Sequence, residues 1–455
     1  MIIKSLPGAF EAQMQAQLGN EFPEFKTALN AAPSISIRFN PLKINTIQEN
    51  QKAVKWFDQG VYLEERPIFT LDPLLHAGVY YVQEASSMFV AEAVRQVLDL
   101  QKDIKALDLC AAPGGKSTLL SSILTQDSLL IANEVIRSRY QILQENITKW
   151  GSPNVQLSNA DSRDFAGLEH FFDLVVVDAP CSGEGLFRKD EKAMQEWSPA
   201  HVEHCSARQK RILADAAKAV KPDGILIYCT CTYNDTENEY NAKWLSESFD
   251  IEPVKLSIPP AWNIISKEFG YQFYPHRVQG EGFYIACFRK KTGKVNSSKA
   301  RSFSHLTPLS PKQIPAVQQW LSAPEAFQFF TDKFNNIIAI LKSQVEDCQI
   351  ITQYLRRTDL GLELGTFKGK DFVPAHALAL STAIAPDLPA VELDKEQALH
   401  FLKKDNIILN KIPESWALAR YQGHNLGWLK GIGNRINNYF PKNWRILMDL
   451  PSDNF

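Results

Sequence analysis

The chain has 455 residues and a mass of 51.4 kDa, which predicts about two to four domains that each bury a core. Hydrophobic residues make up 45% and charged residues 22% of the sequence, an ordinary composition for a globular protein. No apolar run approaches the roughly 20 residues of a membrane span. No export signal opens the chain, so we expect a cytoplasmic protein without a membrane partner.

The cysteines and charges exclude other classes. Seven cysteines, without paired CxxC spacing, argue against a disulfide framework or a structural zinc site. The net charge of −2 gives no global reason to expect nucleic acid. Between residues 283 and 310, however, all charged side chains are basic, which suits either a phosphate-contacting face or a solvated one. They are Arg289, Lys290, Lys291, Lys294, Lys299 and Arg301.

The first eighty residues have the pattern of a small α/β unit. The predicted elements are helices over 9–18, 22–30 and 53–59, and a strand over 34–38. Residues 78–87 then lead into an apolar-periodic helix that runs to about Leu98.

From Lys105 onward, strands and helices alternate at the spacing of a doubly wound parallel sheet. The predicted strands are 106–110, 129–132, 155–157, 172–177 and 225–233, and the predicted helices are 117–124, 137–150 and 207–220. Residues 271–289 close this unit with a hairpin around 279–282. Because the carboxyl ends of parallel strands face one crevice, we expect Asp178, Cys181 and Cys231 to meet there.

The remaining chain has a less regular pattern. Residues 290–311 are rich in Lys, Ser and Thr and predict a linker. Residues 315–344 are predicted to be mainly helical. From about Ile350 to the end, short strands alternate with Gly and Pro turns, among them 416–423 and 426–431, which predicts one or two small mixed or β domains.

A glycine-rich loop at 111–117 separates the first strand from its helix. It matches the second half of a phosphate loop, but Cys110 stands where that motif needs glycine, so an ATPase is disfavoured against a structural turn or another nucleotide. Glu134, about 20 residues later, can accept hydrogen bonds from ribose hydroxyls, and Asp161 could meet an adenine edge. Together they favour an adenosine-like ligand, although either acid alone could be a helix cap.

Cys231 is a candidate nucleophile because it ends a strand beside a polar loop. Buried cysteine used as a small hydrophobe is commoner, and that interpretation is preferred for other cysteines. These are Cys110, Cys229, Cys287 and Cys348. A metal site at His201, His204 and Cys205 is disfavoured against a solvated helix face, and we predict no metal.

Three segments in order, 107–116, 178–183 and 230–232, resemble the Nop/Sun family of S-adenosylmethionine-dependent RNA cytosine-C5 methyltransferases. The resemblance covers about residues 71–289. Residues 183–190 and 428–445 resemble more narrowly the RsmF-type bacterial branch. That branch acts on 16S rRNA near the decoding site and ends in a PUA-like RNA-binding domain.

The resemblance implies a fold and a division of the chain. The implied fold is α/β, with a Rossmann-like seven-stranded methyltransferase sheet, a small N-terminal α/β subdomain and a C-terminal mixed α+β PUA-like domain. The expected domains are an RNA-binding subdomain at 1–75, the methyltransferase domain at 76–290, a linker at 291–311, a first C-terminal domain at 312–385 and the PUA-like domain at 386–455.

The resemblance also implies roles. Cys231 would attack C6 of cytosine, Asp178 would contact the N3 edge, and Cys181 would help release the enzyme. The cofactor S-adenosyl-L-methionine would be bound by Cys110, Ala111, Ala112, Pro113, Gly114, Gly115, Lys116, Glu134, Asp161 and Asp178. The implied partner is 16S rRNA or the small ribosomal subunit, and a monomer is expected.

One departure and two alternatives accompany this resemblance. Cys229 stands where many relatives have serine, and in an extended strand it shares a face with Cys231. A tRNA cytosine-C5 methyltransferase is the runner-up. A ribosome-assembly factor that binds RNA without catalysis would need a broken motif, and all three motifs are intact.

Overall fold

The computed structural model describes residues 6–44, 51–295, 298–409 and 411–450. Parts of three predicted domains lie outside these ranges: residues 1–5 and 45–50 of the N-terminal subdomain, residues 296–297 of the linker, and residues 410 and 451–455 of the PUA-like domain. In the described ranges, no helix combines the length and the apolar character that crossing a membrane requires.

The N-terminal unit contains three helices and a four-stranded antiparallel sheet of order β2-β3-β1-β4. The helices are α1 (Gly8–Leu18), α2 (Phe22–Asn30) and α3 (Pro73–His76), and the strands are β1 (Ile35–Phe39), β2 (Lys52–Val54), β3 (Phe57–Leu63) and β4 (Tyr80–Val82). The helix predicted over 53–59 is wrong. Val54 pairs with Phe57 across a tight reversal, and both are buried with Trp56, because aromatic and β-branched side chains favour a half-buried pleated surface.

The central unit is the predicted parallel sheet. Its strands are β5 (Lys105–Asp108), β6 (Leu129–Asn133), β7 (Val155–Ser158), β8 (Phe172–Asp178), β9 (Val220–Thr230), β10 (Ile251–Pro253), β11 (Ile265–Ser266), β12 (Tyr271–Phe273) and β13 (Phe283–Lys290). Seven of them follow the order β12-β13-β9-β8-β5-β6-β7, with β13 antiparallel to β9. The predicted seven-stranded sheet and the closing hairpin are confirmed, and short strands at both edges extend the sheet to ten.

Helices cover both faces of this sheet. They are α4 (Phe89–Val97), α5 (Gly115–Ile123), α6 (Arg137–Trp150), α7 (Glu191–Glu196), α8 (Pro199–Ala219) and α9 (Glu239–Ser248). Successive residues of β6 point to opposite cores: Leu130 packs with α4 and α5, whereas Ile131 packs with α8. A strand buried on both faces therefore reads as a continuous apolar run.

The next unit is a five-stranded antiparallel sheet of order β14-β15-β16-β18-β19. Its elements are β14 (Leu306–Pro308), α10 (Ile314–Gln318), β15 (Phe327–Asp332), β16 (Asn336–Leu341), α11 (Val345–Ile351), β17 (Thr358–Asp359), β18 (Leu362–Lys368), β19 (Asp371–Pro374) and α12 (His376–Leu380). The prediction that 315–344 is mainly helical is wrong, because its aromatic and β-branched residues form the β15–β16 hairpin. Strand β14 lies inside the predicted linker, where Leu306 is buried.

The last unit contains β20 (Ala390–Glu392), α13 (Lys395–Lys403), β21 (Trp416–Tyr421), β22 (His424–Ile432) and β23 (Arg435–Asn438). The strands predicted at 416–423 and 426–431 are confirmed as the β21–β22 hairpin. Its turn residues Gln422 and Gly423 both have positive φ, which a two-residue hairpin turn requires.

Candidate active site

The carboxyl ends of β5 to β9 enclose a cavity of about 310 Å³. Seven of the predicted site residues line it: Cys110, Lys116, Glu134, Asp161, Asp178, Cys181 and Cys231. They come from five different strand ends, so the fold brings together side chains that lie far apart in the sequence.

Two thiols meet at the ends of β8 and β9. The Sγ atoms of Cys181 and Cys231 are 3.1 Å apart. The hydrogen bond to the Cys231 sulfur, followed by burial, raises the pKa of the Cys181 thiol well above its usual range. Cys181 therefore keeps its proton and can donate it toward Cys231.

Glu184 fixes the loop that carries Cys231. Its buried carboxylate accepts hydrogen bonds from the backbone N–H groups of Tyr233 (2.8 Å) and Asn234 (3.0 Å), and from the hydroxyl of Thr232 (2.6 Å). The backbone N–H of Gly185 donates to the carbonyl of Cys231 at 2.8 Å. A Cβ at Gly185 would lie 2.7 Å from that carbonyl oxygen, so glycine is required for this close approach.

Glu237 performs the same task for the loop that carries Cys181. Its carboxylate accepts from the backbone N–H of Ser182 (2.9 Å) and from the side-chain amides of Gln209 (2.7 Å) and Asn234 (2.8 Å). Burial raises the pKa of Glu237. The sequence analysis assigned no role to either glutamate, and the one available signal was that both stand within six residues of a predicted cysteine.

Lys116 and Asp178 form an ion pair in the cavity wall. Lys116 Nζ lies 2.7 Å from Asp178 Oδ2 and 5.3 Å from the centre of the Phe283 ring. Burial alone would lower the pKa of the Lys116 ammonium, but the Asp178 carboxylate outweighs it and the pKa is raised. The Lys116 ammonium is therefore charged.

Asp108, the last residue of β5, lies behind this wall and is fully buried. Its Oδ2 accepts a hydrogen bond from Ser117 Oγ at 2.6 Å, whereas its Oδ1 has no partner among the described residues. Burial raises the pKa of Asp108 to about 7. Below about pH 7, the Asp108 carboxyl group is therefore mainly protonated, because burial disfavours its charged form.

The glycine-rich loop shapes the cavity more than it lines it. Five predicted cofactor contacts do not line the cavity: Ala111, Ala112, Pro113, Gly114 and Gly115. Gly114 precedes α5 with a φ of 113°, a conformation that favours glycine. This tight turn places Lys116 in the first turn of α5, facing Asp178.

The two acids predicted to bind an adenosine lie at the ends of β6 and β7. Glu134 is buried, accepts from the backbone N–H of Ile136 at 2.8 Å and pairs with Arg139 at 3.5 Å. Asp161 accepts from the backbone N–H of Arg163 at 3.3 Å and caps a short 3₁₀ helix. The helix-cap interpretation therefore applies to Asp161, which also lines the cavity.

Further charged residues on the cavity wall were missed by the sequence analysis. Glu281 of the 279–282 turn pairs with Arg188 (2.9 Å) and Lys189 (3.4 Å), and its backbone N–H donates to Glu84 (2.8 Å). Arg208 and Arg211 of α8 complete the set. These residues come from four separate segments, so no local motif could have joined them.

Two other candidates from the sequence do not line the cavity. Cys205 Sγ lies 3.6 Å from His201 Nε2, and the described ranges hold no group of three or more side chains suited to a metal ion. In the basic run, Lys290 Nζ donates to the carbonyl of Ala217 at 2.8 Å and Arg289 to that of Asp223 at 2.8 Å. Because β13 runs antiparallel to β9, these two residues lie at the amino-terminal ends of the parallel strands, opposite the cavity.

Protein-family models match most of the chain. Residues 95–289 match 16S rRNA methyltransferase RsmB/F, residues 6–85 match the N-terminal domain of 16S rRNA methyltransferase RsmF, and residues 388–446 match the methyltransferase RsmF PUA domain. The α/β fold with a Rossmann-like methyltransferase unit and a C-terminal PUA domain agrees with the expectation from the sequence.

Curated relatives match along nearly the whole length. Ribosomal RNA small subunit methyltransferase F of Aliivibrio fischeri (strain MJ11) is 31% identical over 96% of this chain and 97% of the relative. The protein of the same name from Erwinia tasmaniensis is 29% identical over 96% of each chain.

Solved structures resemble the methyltransferase part. A methyltransferase homolog protein from Pyrococcus horikoshii is 29% identical, with a TM-score of 0.53 over 62% of this chain and 94% of that one. NSun6 from Pyrococcus horikoshii shares the fold at 21% identity, with a TM-score of 0.53 over 63% of this chain and 99% of that one. With the relatives above, these matches show that the chain belongs to the ribosomal RNA small subunit methyltransferase F family, a family of S-adenosylmethionine-dependent methyltransferases.

Proposed function

We propose that this chain transfers a methyl group from S-adenosyl-L-methionine to C5 of a cytosine in the decoding region of 16S rRNA, through a covalent adduct between cysteine and C6. The observation that carries the proposal is the thiol pair in the cavity, with Cys181 and Cys231 3.1 Å apart. A carbon nucleophile as weak as cytosine C5 needs a thiolate that adds to C6, and a second group that assists the later release.

The residues of the cavity fit this cofactor. Its volume of about 310 Å³ lies in the range of small-molecule sites. Glu134, Asp161 and Asp178 place carboxylates at the ends of β6, β7 and β8, which suits a ligand with ribose hydroxyls and a cationic sulfonium. When bound, the cofactor supplies an electrophilic methyl group.

The two cysteines have separate tasks in this proposal. The Cys231 thiolate forms a bond to C6, the C5–C6 double bond opens, and its electron pair makes C5 nucleophilic. After C5 is methylated, solvent water takes the C5 proton, the electrons of the C5–H bond restore the double bond, and the bond from C6 to sulfur breaks to release Cys231 as a thiolate. Cys181, which keeps its proton beside the Cys231 sulfur, assists this release.

Asp178 acts on the other side of the base. We assign it to the N3 edge of cytosine, where its carboxylate stabilises the proton that N3 takes up from solvent as C6 is attacked. The ion pair with Lys116 at 2.7 Å orients this carboxylate. The target base must leave its stack to reach such an enclosed site.

The substrate assignment rests on the family and on the matches of the N-terminal and C-terminal domains. We propose RNA-binding roles for residues 1–75 and 386–455, the methyltransferase role for 76–290, and a cytoplasmic monomer that meets 16S rRNA or the small subunit. The matches to the RsmF N-terminal and PUA domains support this division. They favour 16S rRNA over tRNA.

Cysteine variants test the chemistry. Wild type, Cys231→Ser, Cys181→Ser and the control Cys205→Ser are incubated with small-subunit RNA or subunits and tritiated methyl donor. Label on RNA and an RNA–protein adduct on a denaturing gel are measured. We expect Cys231→Ser to be inert, Cys181→Ser to accumulate the adduct, and Cys205→Ser, whose sulfur lies 3.6 Å from His201, to behave as wild type.

Other outcomes contradict parts of the proposal. An adduct with Cys231→Ser instead of Cys181→Ser would make Cys181 the nucleophile. Label on tRNA but not on small-subunit RNA would replace the substrate. Label at another base or atom would overturn the cytosine-C5 assignment.

A further inference from the structure

A basic surface lies beside the cavity, and four of its five residues lie in a part of the chain between the matched family ranges. It is formed by Arg137 at the start of α6, by Lys333 and Phe334 at the tip of the β15–β16 hairpin, and by Arg356 and Arg357 just before β17. All five side chains are exposed, and Phe334 keeps 69% of its area in contact with solvent. We call these five residues the β17 surface.

The position of the β17 surface follows from strand pairing. Strand β17 runs antiparallel to β7, and the backbone N–H of Asn159 donates to the carbonyl of Arg357 at 3.0 Å. Arg356 and Arg357 therefore lie at the carboxyl-terminal ends of the parallel strands, as the cavity does. Five strand spacings separate β9 from β17, a distance of roughly 24 Å that several nucleotides of single-stranded RNA span.

The β17 surface is also joined to the cavity wall. The Asn159 side-chain amide donates to the carbonyl oxygens of Glu134 (2.6 Å) and Val135 (3.0 Å), and its Oδ1 lies 3.5 Å from Arg357 Nη1. Glu134 and Val135 line the cavity, whereas Asn159 and Arg357 line the neighbouring cleft. One short segment after β7 thus forms part of both.

The β17 surface carries an excess of positive charge. Its four cations stand beside two carboxylates, Asp332 and Asp359. Asp359 accepts from the hydroxyl of Tyr140 (2.5 Å), and Asp332 accepts from the backbone N–H groups of Phe334 and Asn336 (both 2.8 Å). The second contact rigidifies the hairpin tip that presents Phe334 and Lys333.

We propose that the β17 surface binds the single-stranded RNA that flanks the target cytosine, with its cations on phosphates and Phe334 stacked on a base. The combination of clustered cations with an exposed aromatic ring is the one that single-stranded nucleic acid requires. This inference rests on the proposed function and extends it. It assigns substrate binding to the 312–385 domain and places the strand along the cofactor side of the cavity.

The test compares two double variants that each remove two positive charges. Arg356→Gln/Arg357→Gln alters the β17 surface. Lys291→Gln/Lys294→Gln alters the segment after β13, at the other end of the strands, where Lys291 pairs with Glu252 at 3.3 Å. Binding of a 16S rRNA transcript is measured without cofactor at several salt concentrations, next to the KM and kcat of methylation. Cofactor affinity is measured separately.

We expect the arginine variant to raise the KM for RNA about tenfold at unchanged kcat and cofactor affinity. Its salt slope should fall by about 1.4, since each lost single-strand phosphate contact removes about 0.7. The lysine variant should match wild type. Phe334→Ala should weaken RNA binding several-fold without changing the salt slope, because it removes stacking and no charge.

If the arginine variant binds RNA with the same affinity as the lysine variant, the proposed role of the β17 surface is wrong. The binding measurement needs neither cofactor nor methyl transfer. If wild type binds the transcript without methylating it, the proposed function fails, and the comparison between the two double variants still decides the surface.

Discussion

The charge state of Asp108 is coupled to folding. This residue is fully buried, its Oδ1 has no partner in the described ranges, and its pKa is raised by burial from 3.8 to about 7. The native protein therefore holds a proton that the unfolded chain releases between about pH 4 and pH 7. In that window the free energy of unfolding falls as the pH rises.

Asp108→Asn should remove this pH dependence. The variant amide cannot ionise, so its free energy of unfolding relative to wild type should rise by about 3 kcal/mol between about pH 5 and about pH 8. Urea unfolding at both pH values measures the change. Asp127→Asn, at an exposed position, is the control and should show no such rise. A pH-independent difference for Asp108→Asn would contradict the protonated state.

At the residue scale, the sequence predicts the strand-end side chains well and their supports poorly. Cys231 and Asp178 follow apolar strands directly, so strand pattern and strand direction suffice to place them. Glu184 and Glu237 are buried because several backbone and side-chain donors converge on them. That convergence exists only once the loops after β8 and β9 face each other, so no spacing along the chain announces it.

The carboxyl end of α6 is the element where two units depend most on one another. Lys43 Nζ donates to the carbonyls of Ala77 and Lys149, both at 2.7 Å, and Asn40 Nδ2 donates to the carbonyl of Trp150 at 3.0 Å. The N-terminal unit thus supplies donors to carbonyls in the last turn of the helix. A cation is also favoured there by the helix dipole.

Lys43→Met should leave these carbonyls without the donor that Lys43 Nζ supplies. We expect a loss of about 2 kcal/mol in the free energy of unfolding, measured by denaturant titration. Lys55→Met is the matched control, because Lys55 Nζ also donates to a carbonyl, that of Ala261 at 2.8 Å, but on the exposed surface. Its loss should stay below about 0.5 kcal/mol. Equal losses would show that the α6 contact is not special.

Two element predictions failed for the same physical reason. Residues 53–59 and 315–344 each contain apolar side chains at spacings that a short helix also permits. Their aromatic and β-branched residues favour strands, and the choice is settled by distant partners: Trp56 packs against Phe273, and Phe330 against Phe303. By contrast, α6 was predicted with its observed bounds, because Gly151 with positive φ ends a long periodic run.

Across the whole molecule, the central sheet and the 312–385 region share one core. Leu213 of α8 belongs to the same buried cluster as Phe330, Ile338 and Leu355. Strand β17 adds to the methyltransferase sheet itself. Units that share apolar surface to this extent should unfold together, since separating them would expose both faces to water.

Gln344 tests that coupling because its buried amide bridges the two units. Its Nε2 donates to the carbonyl of Ser128 at 2.7 Å, and its Oε1 accepts from Gln156 Nε2 at 2.8 Å. Gln344→Ala removes the side-chain partner of both groups and should lower the free energy of unfolding by about 2 to 3 kcal/mol. Hydrogen exchange should show the same loss of protection in β5–β8 and in β15–β18. Gln349→Ala, in the adjoining helix α11, should leave both unchanged. If only β15–β18 loses protection in Gln344→Ala, the two units unfold independently, and the β17 surface could move relative to the cavity that it is proposed to serve.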